Sequence, residues 1–178
     1  MNFLDYIDEE RAEAYRLFAY LFMNIPHIEH IEQFESFGQL DIKDTYEEIC
    51  EDFIHLFINE NLPNYEAYYK AELYKDIPIN RSLDDVQHFY WTAGVAIDEE
   101  IDLPPDHISM ELIFMSYLIE QNLKDLQIEF ARRLCEWVPL FCDALYKKAN
   151  TDFYKEVAYS LKEFVLSECE DGSEGRGY

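Results

Sequence analysis

Between Ile108 and Ile119 the sequence is apolar at nearly every position, and Glu111 is the single charge in the run. Wound at 3.6 residues per turn, such a run has no polar side, so it cannot lie at the rim of a soluble domain. It is also well short of the roughly 18 apolar residues that would suggest a membrane span. The run therefore predicts a central, fully buried helix contacted on all sides, and the rest of the chain has to supply the walls around it.

The walls read as helices too. Ala14, Leu17, Phe18, Leu21 and Phe22 form an apolar stripe behind Asp8, which is placed to cap a first helix that Pro26 ends. A shorter helix is expected from His27 to Phe37, stopped by Gly38. Asp44 opens the next, with Tyr46, Ile49, Phe53, Leu56 and Phe57 on its buried side, and Asn59 to Tyr65 is a loop. A short helix follows from Glu66 to Lys75. Ser82 and Asp85 resemble a capping box opening a helix with Val86, Phe89, Tyr90, Ala93 and Ile97. After an acidic run, Pro104 and Pro105 fix an extended turn, and Asp106 is placed to cap the buried helix. Leu123–Trp137 and Val138–Lys148 read as two segments joined or kinked at Pro139, and Thr151 caps a last helix carrying Phe153, Val157, Leu161, Phe164 and Val165. With 5 Gly and 6 Pro in 178 residues and no convincing alternation, the fold class is all-α, a single compact helical domain over residues 1–166. Residues 167–178, rich in acids and glycine, are expected to be a disordered tail.

Charge restricts the partners. Fourteen basic against 38 acidic residues give a net −24, which repels nucleic acid and anionic lipid surfaces and favours cationic ligands. The same charge could serve only to keep a chain with 16% aromatic residues in solution. The first ten residues carry acids where a secretory leader carries Lys or Arg, so a cytoplasmic protein without stable membrane insertion is expected. Cys50, Cys135, Cys142 and Cys169 lack C-x-x-C spacing and read as free, mostly buried thiols.

Catalytic signals are thin. No glycine-rich phosphate cradle and no G-x-S-x-G occurs, and His27 with His30 supplies two metal ligands without a local third. No catalytic residue, metal or cofactor is assigned, and an enzyme is not expected. Glu111 either reaches solvent, bonds a neighbouring helix end, or lines a ligand cleft.

Three segments carry a resemblance. They are Glu48-Ile49-Cys50-Glu51-Asp52-Phe53-Ile54-His55-Leu56-Phe57 with the later Tyr65-Glu66-Ala67-Tyr68-Tyr69; Tyr90-Trp91-Thr92-Ala93-Gly94-Val95 with the run Pro104 to Met115; and Glu136-Trp137-Val138-Pro139 with Phe153-Tyr154. Their order and spacing over residues 45–165 resemble the TorD/DmsD/NarJ family of redox-enzyme maturation chaperones. The resemblance implies an all-helical protein, monomeric or a domain-swapped dimer. It further implies binding to the twin-arginine signal peptide, and to the apo catalytic subunit, of a molybdenum oxidoreductase until its cofactor is inserted. The candidate peptide-binding residues are Tyr65, Glu66, Tyr69, Tyr90, Gly94, Asp106, His107 and Glu111. Gly94, inside an expected helix, hints at close packing or ligand approach. Two alternatives stay open: a helical interaction scaffold without a peptide groove, and a weak guanine-nucleotide-binding protein.

Overall fold

The structure, a computed structural model, describes residues 3–75 and 79–174. Its described residues form α1 (Phe3–Met23), α2 (Ile28–Gly38), α3 (Tyr46–Ile54), α4 (Glu66–Leu73), α5 (Ile79–Thr92), α6 (Ile108–Glu120), α7 (Lys124–Lys148) and α8 (Asp152–Glu174). A π-turn, His55–Asn59, prolongs α3. Among the described residues there is no strand, only an isolated bridge between Tyr65 and His107.

Helix α6 occupies the centre, as its composition demands. Ile108, Leu112 and Leu118 are fully buried, with α1 along one flank and α7 along another. Helices α7 and α8, linked through Ala149–Thr151, form an antiparallel hairpin whose buried faces meet through Leu134, Phe141, Val157 and Leu161. Aromatic rings fill the junctions edge to face: Phe114 on Phe130 at 4.8 Å, Phe22 on Phe141 at 5.3 Å. Such pairs add about 0.5–1.5 kcal/mol each beyond the area they bury.

Several element ends differ from the sequence expectation, and most differences share one cause. Side chains that look like local caps serve other elements. Asp8 lies inside α1 and pairs with Arg11 at 2.8 Å. Thr45, not Asp44, caps α3 by accepting from the Glu48 N–H at 3.1 Å. Asp44 instead accepts from the Phe153 N–H at 2.8 Å, and Asp52 accepts from the Asn150 and Thr151 N–H groups, so both carboxylates hold the N-terminus of α8. The Thr151 cap is present, its hydroxyl accepting from the Tyr154 N–H at 3.2 Å. Ser82 lies within α5, which has already begun at Ile79, and there is no capping box at that point.

Helix α5 stops at Thr92, short of Ile97. Gly94 takes a left-handed conformation, φ 77°, and the N–H groups of Gly94 and Val95 return to the carbonyls of Trp91 and Tyr90. This is a Schellman closure, and it accounts for the glycine without close packing: a Cβ there would meet nothing within 4 Å. Gln39 and Asn122, also left-handed, close α2 and α6 in the same way. Helix α7 runs unbroken through Pro139, which forgoes one backbone bond while Trp137, Val138 and Phe141 stay fully buried around it.

Two further expectations change. The stretch from 167 to 174 is helical rather than a tail, because buried Glu168 receives the Tyr15 hydroxyl at 3.0 Å and the Arg11 guanidinium at 2.9 Å. Residues 175–178, the rest of that expected tail, lie outside the described residues. Cys135 and Cys169, expected as free thiols, are joined across the hairpin with their Cα atoms 6.3 Å apart, whereas Cys50 and Cys142 are free.

Candidate functional site

The loop before α4 and the loop before α6 are tied together at the backbone. The Glu66 N–H donates to the Asp106 carbonyl at 3.0 Å, and the Ile108 N–H donates to the Asn64 carbonyl at 2.8 Å. Asp106 completes the tie with its side chain, accepting from the Ala67 N–H at 2.8 Å. It thus caps α4, not the helix that follows it. The cap of α6 is His107, whose Nδ1 accepts from the Ser109 N–H at 3.0 Å. That bond requires an unprotonated Nδ1, and burial alone lowers the His107 pKa to about 4. Burial likewise raises the pKa of Asp106.

Below this tie lies a buried ionic group. Glu66 is fully buried and receives the Arg133 guanidinium through Nε at 2.7 Å and Nη2 at 2.6 Å, the Ser82 hydroxyl at 3.0 Å, and Lys70 at 3.3 Å. Arg133 also donates to the Ser82 carbonyl at 2.8 Å, so one guanidinium on α7 fastens α4 and α5. Glu111 of α6 is fully buried beside them and accepts from the Trp137 indole at 3.1 Å. Burial, and then the charge of Glu66, raise the Glu111 pKa well above its usual value, which favours the neutral acid in the fold. Glu111 does not reach solvent, and the bond it makes is to the Trp137 indole of α7.

The candidate residues therefore divide. Glu66, Asp106, His107 and Glu111 are brought together in one cluster and are all buried. Tyr90 borders it, with its ring on Phe114 and its hydroxyl donating to the Pro105 carbonyl at 2.6 Å. Tyr69 stacks on Trp137 and donates to the Pro63 carbonyl at 2.7 Å. Tyr65 is half-buried beside the exposed Tyr68. Gly94 stands apart from the cluster, at the exposed end of α5.

Two clefts are bordered by Tyr69 and Tyr90, the tyrosines that donate to the Pro63 and Pro105 carbonyls. One, about 430 Å³, is lined by Leu62, Pro63, Tyr68, Tyr69 and Leu140, with Glu60, Glu72 and Lys148 as its charged residues. The other, about 550 Å³, lies against the end of α5 and includes Tyr90, Trp91, Val95 and Ile97.

Sequence reasoning missed Arg133, Lys70, Ser82 and Trp91. Arg133 left a readable trace: it falls at helical spacing with Phe130, Leu134 and Trp137, on the apolar face of α7. A charge there needs a buried partner. Among the described residues no group of three or more His, Cys, Asp or Glu side chains is arranged to hold a metal ion, and no helix is long and apolar enough to cross a membrane.

Comparison with known proteins gives a consistent picture. The sequence model of the family described as nitrate reductase delta subunit matches residues 26–143. The chaperone protein TorD of Vibrio parahaemolyticus is 24% identical over 139 residues, 70% of this chain and 64% of the relative. The probable Tat proofreading chaperone DmsD of Haemophilus influenzae is 29% identical over 120 residues, 65% of this chain and 58% of the relative. The matched region thus spans less than two thirds of each of these curated relatives. In fold, the chain is similar to a crystallised candidate redox enzyme maturation protein from Archaeoglobus fulgidus, with a TM-score of 0.54 at 22% identity over 87% of this chain and 93% of that one.

Proposed function

We propose, from the premise that this chain belongs to the nitrate reductase delta subunit family, that it is a cytoplasmic maturation chaperone for a molybdenum oxidoreductase. On this reading it binds the twin-arginine signal peptide of the apo catalytic subunit and retains that subunit until its cofactor is in place. The curated relatives named as chaperones, one of them for Tat proofreading, support the coarser part.

The observation that carries the peptide-binding part is the pair of tied loops. Glu66, Asp106, His107 and Glu111 act from inside, fixing the loop backbone, while Tyr65, Tyr69 and Tyr90 border the surface a peptide would cross. A signal peptide joins a basic segment to an apolar one. Aromatic clefts flanked by carboxylates on a chain of net charge −24 complement both parts.

Calorimetric titration with a twin-arginine peptide tests the reading. Binding should weaken as salt rises and when both peptide arginines become glutamine. Asp106→Asn, which keeps a capping oxygen for Ala67, should leave affinity within about threefold, because the charge it removes is buried in the tie. No binding by the wild-type chain would refute peptide recognition.

A further inference from the structure

Trp91 is 82% exposed, while the other tryptophan, Trp137, is 0% exposed. An indole left this open on a protein surface is unusual outside recognition sites, where tryptophan is enriched among the residues that dominate binding. It stands at the mouth of the 550 Å³ groove, whose floor is Tyr90, Val95 and Ile97. The groove's shape is set by backbone bonds, since the Schellman closure at Gly94 returns Val95 to the Tyr90 carbonyl at 2.8 Å. With no atom within 4 Å of where a Cβ would stand, Gly94 leaves that edge open.

The groove's polar lining is Asp84, Gln87 and His88, of which Asp84 is the carboxylate. Among the described residues no lysine or arginine lines it, and the chain leaves it at Ile97 directly into exposed Asp98, Glu99 and Glu100. The last turn of α5 has no basic residue to offset the negative end of its dipole, which points at this site. An anionic or neutral apolar partner would meet repulsion or leave these groups unanswered. A guanidinium can lie on the indole face and pair with Asp84 while adjacent apolar side chains fill the floor.

We propose that the Trp91 groove is the seat for the arginine-bearing end of an apolar peptide segment. The source of that segment rests on the chaperone reading above. Its assignment to this groove rests on Trp91 and the charge around it. The Tyr90 hydroxyl, bonded to the Pro105 carbonyl, connects the groove to the tied loops and so to the tyrosine-lined cleft.

The test titrates the full chain with a peptide of two adjacent arginines followed by about ten apolar residues. It is read by calorimetry and by tryptophan emission. Because Trp137 is sealed in the core, iodide quenching reports on Trp91 alone. Peptide should shift the emission to the blue and protect it from iodide. Trp91→Ala and Asp84→Asn should each lower affinity at least fivefold with unchanged thermal unfolding. Changing both peptide arginines to glutamine should cost the wild type tenfold or more, yet cost Trp91→Ala threefold at most, since the stacking partner is already gone. Equal affinity of wild type and Trp91→Ala, with emission unmoved, would overturn the groove assignment and leave the chaperone reading standing. Absence of binding by the wild type would remove that reading and the assignment together. Protection of Trp91 that rises with protein concentration, without peptide, would identify a second copy as the occupant and overturn the proposal.

Discussion

The carboxyl of Glu111 takes the Trp137 indole N–H on Oε1, while its other oxygen is buried without a hydrogen-bond partner. In the unfolded chain it ionises near pH 4.5, and in the fold it keeps its proton to a much higher pH. Above about pH 5 folding must therefore take up a proton, and the cost of doing so grows as pH rises toward the folded-state value. Glutamine is neutral at every pH, and its amide oxygen can keep the Trp137 bond. Glu111→Gln should thus melt within about 1 kcal/mol of wild type near pH 4 and gain on it steadily between about pH 5 and 8. Thermal unfolding across that range decides the matter, and a gap that does not change with pH would mean the folded acid is ionised. Arg133 poses the opposite case, a charge that must stay. Arg133→Met leaves Glu66 fully buried with Lys70 and Ser82 as its remaining partners and should cost about 3–5 kcal/mol. Removing both charges, as Glu66→Leu with Arg133→Met, should recover most of that loss in denaturant titration. If the double variant is as unstable as the single, the guanidinium matters for the shape it fills rather than for the charge it answers.

At the scale of elements, periodicity made most of the fold legible. A stripe or an all-apolar run reports how a helix meets its neighbours, so α1, α3, α6 and α8 could be read from their own residues. Element ends were less legible, for a physical reason. An aspartate or serine ahead of an apolar stripe has the chemistry of a cap but carries no label for which helix it caps. Asp44 reaches Phe153 across 109 residues and Asp106 reaches Ala67 across 39, distances at which local sequence has no say. The candidate site suffered in the same way. Its residues were found, yet the tie that buries four of them depends on Arg133, which only the assembled helices bring to Glu66. Gly94 was noticed for its cost inside a helix, while its actual role is to end one. Gly94→Ala should therefore destabilise by about 1–2 kcal/mol through backbone strain alone, since an added methyl meets no atom within 4 Å. Equilibrium unfolding measures this, and a neutral outcome would mean that α5 can end without the left-handed residue.

At the scale of the whole molecule, α7 and α8 are held by the Cys135–Cys169 link as well as by packing. A bridge closing 34 residues contributes at most about 4 kcal/mol by restricting the unfolded chain. Thermal unfolding with and without a phosphine reductant should show a lower midpoint when reduced, and Cys169→Ser should match the reduced wild type in both conditions. A variant insensitive to reductant but as stable as the oxidised chain would show that packing alone secures the hairpin. A second clasp spans further, for Arg11 and Tyr15 on α1 meet Glu168 on α8 across 157 and 153 residues. On the ribosome this sets an order of events. The flank that α1 presents to Glu168 stays unanswered until α8 has been made, 157 residues after Arg11, so α1 is secured on this side only after the helices between them have emerged. Until then the nascent chain carries an exposed aromatic and apolar stripe, Tyr15, Phe18 and Phe22 among it, in need of temporary cover.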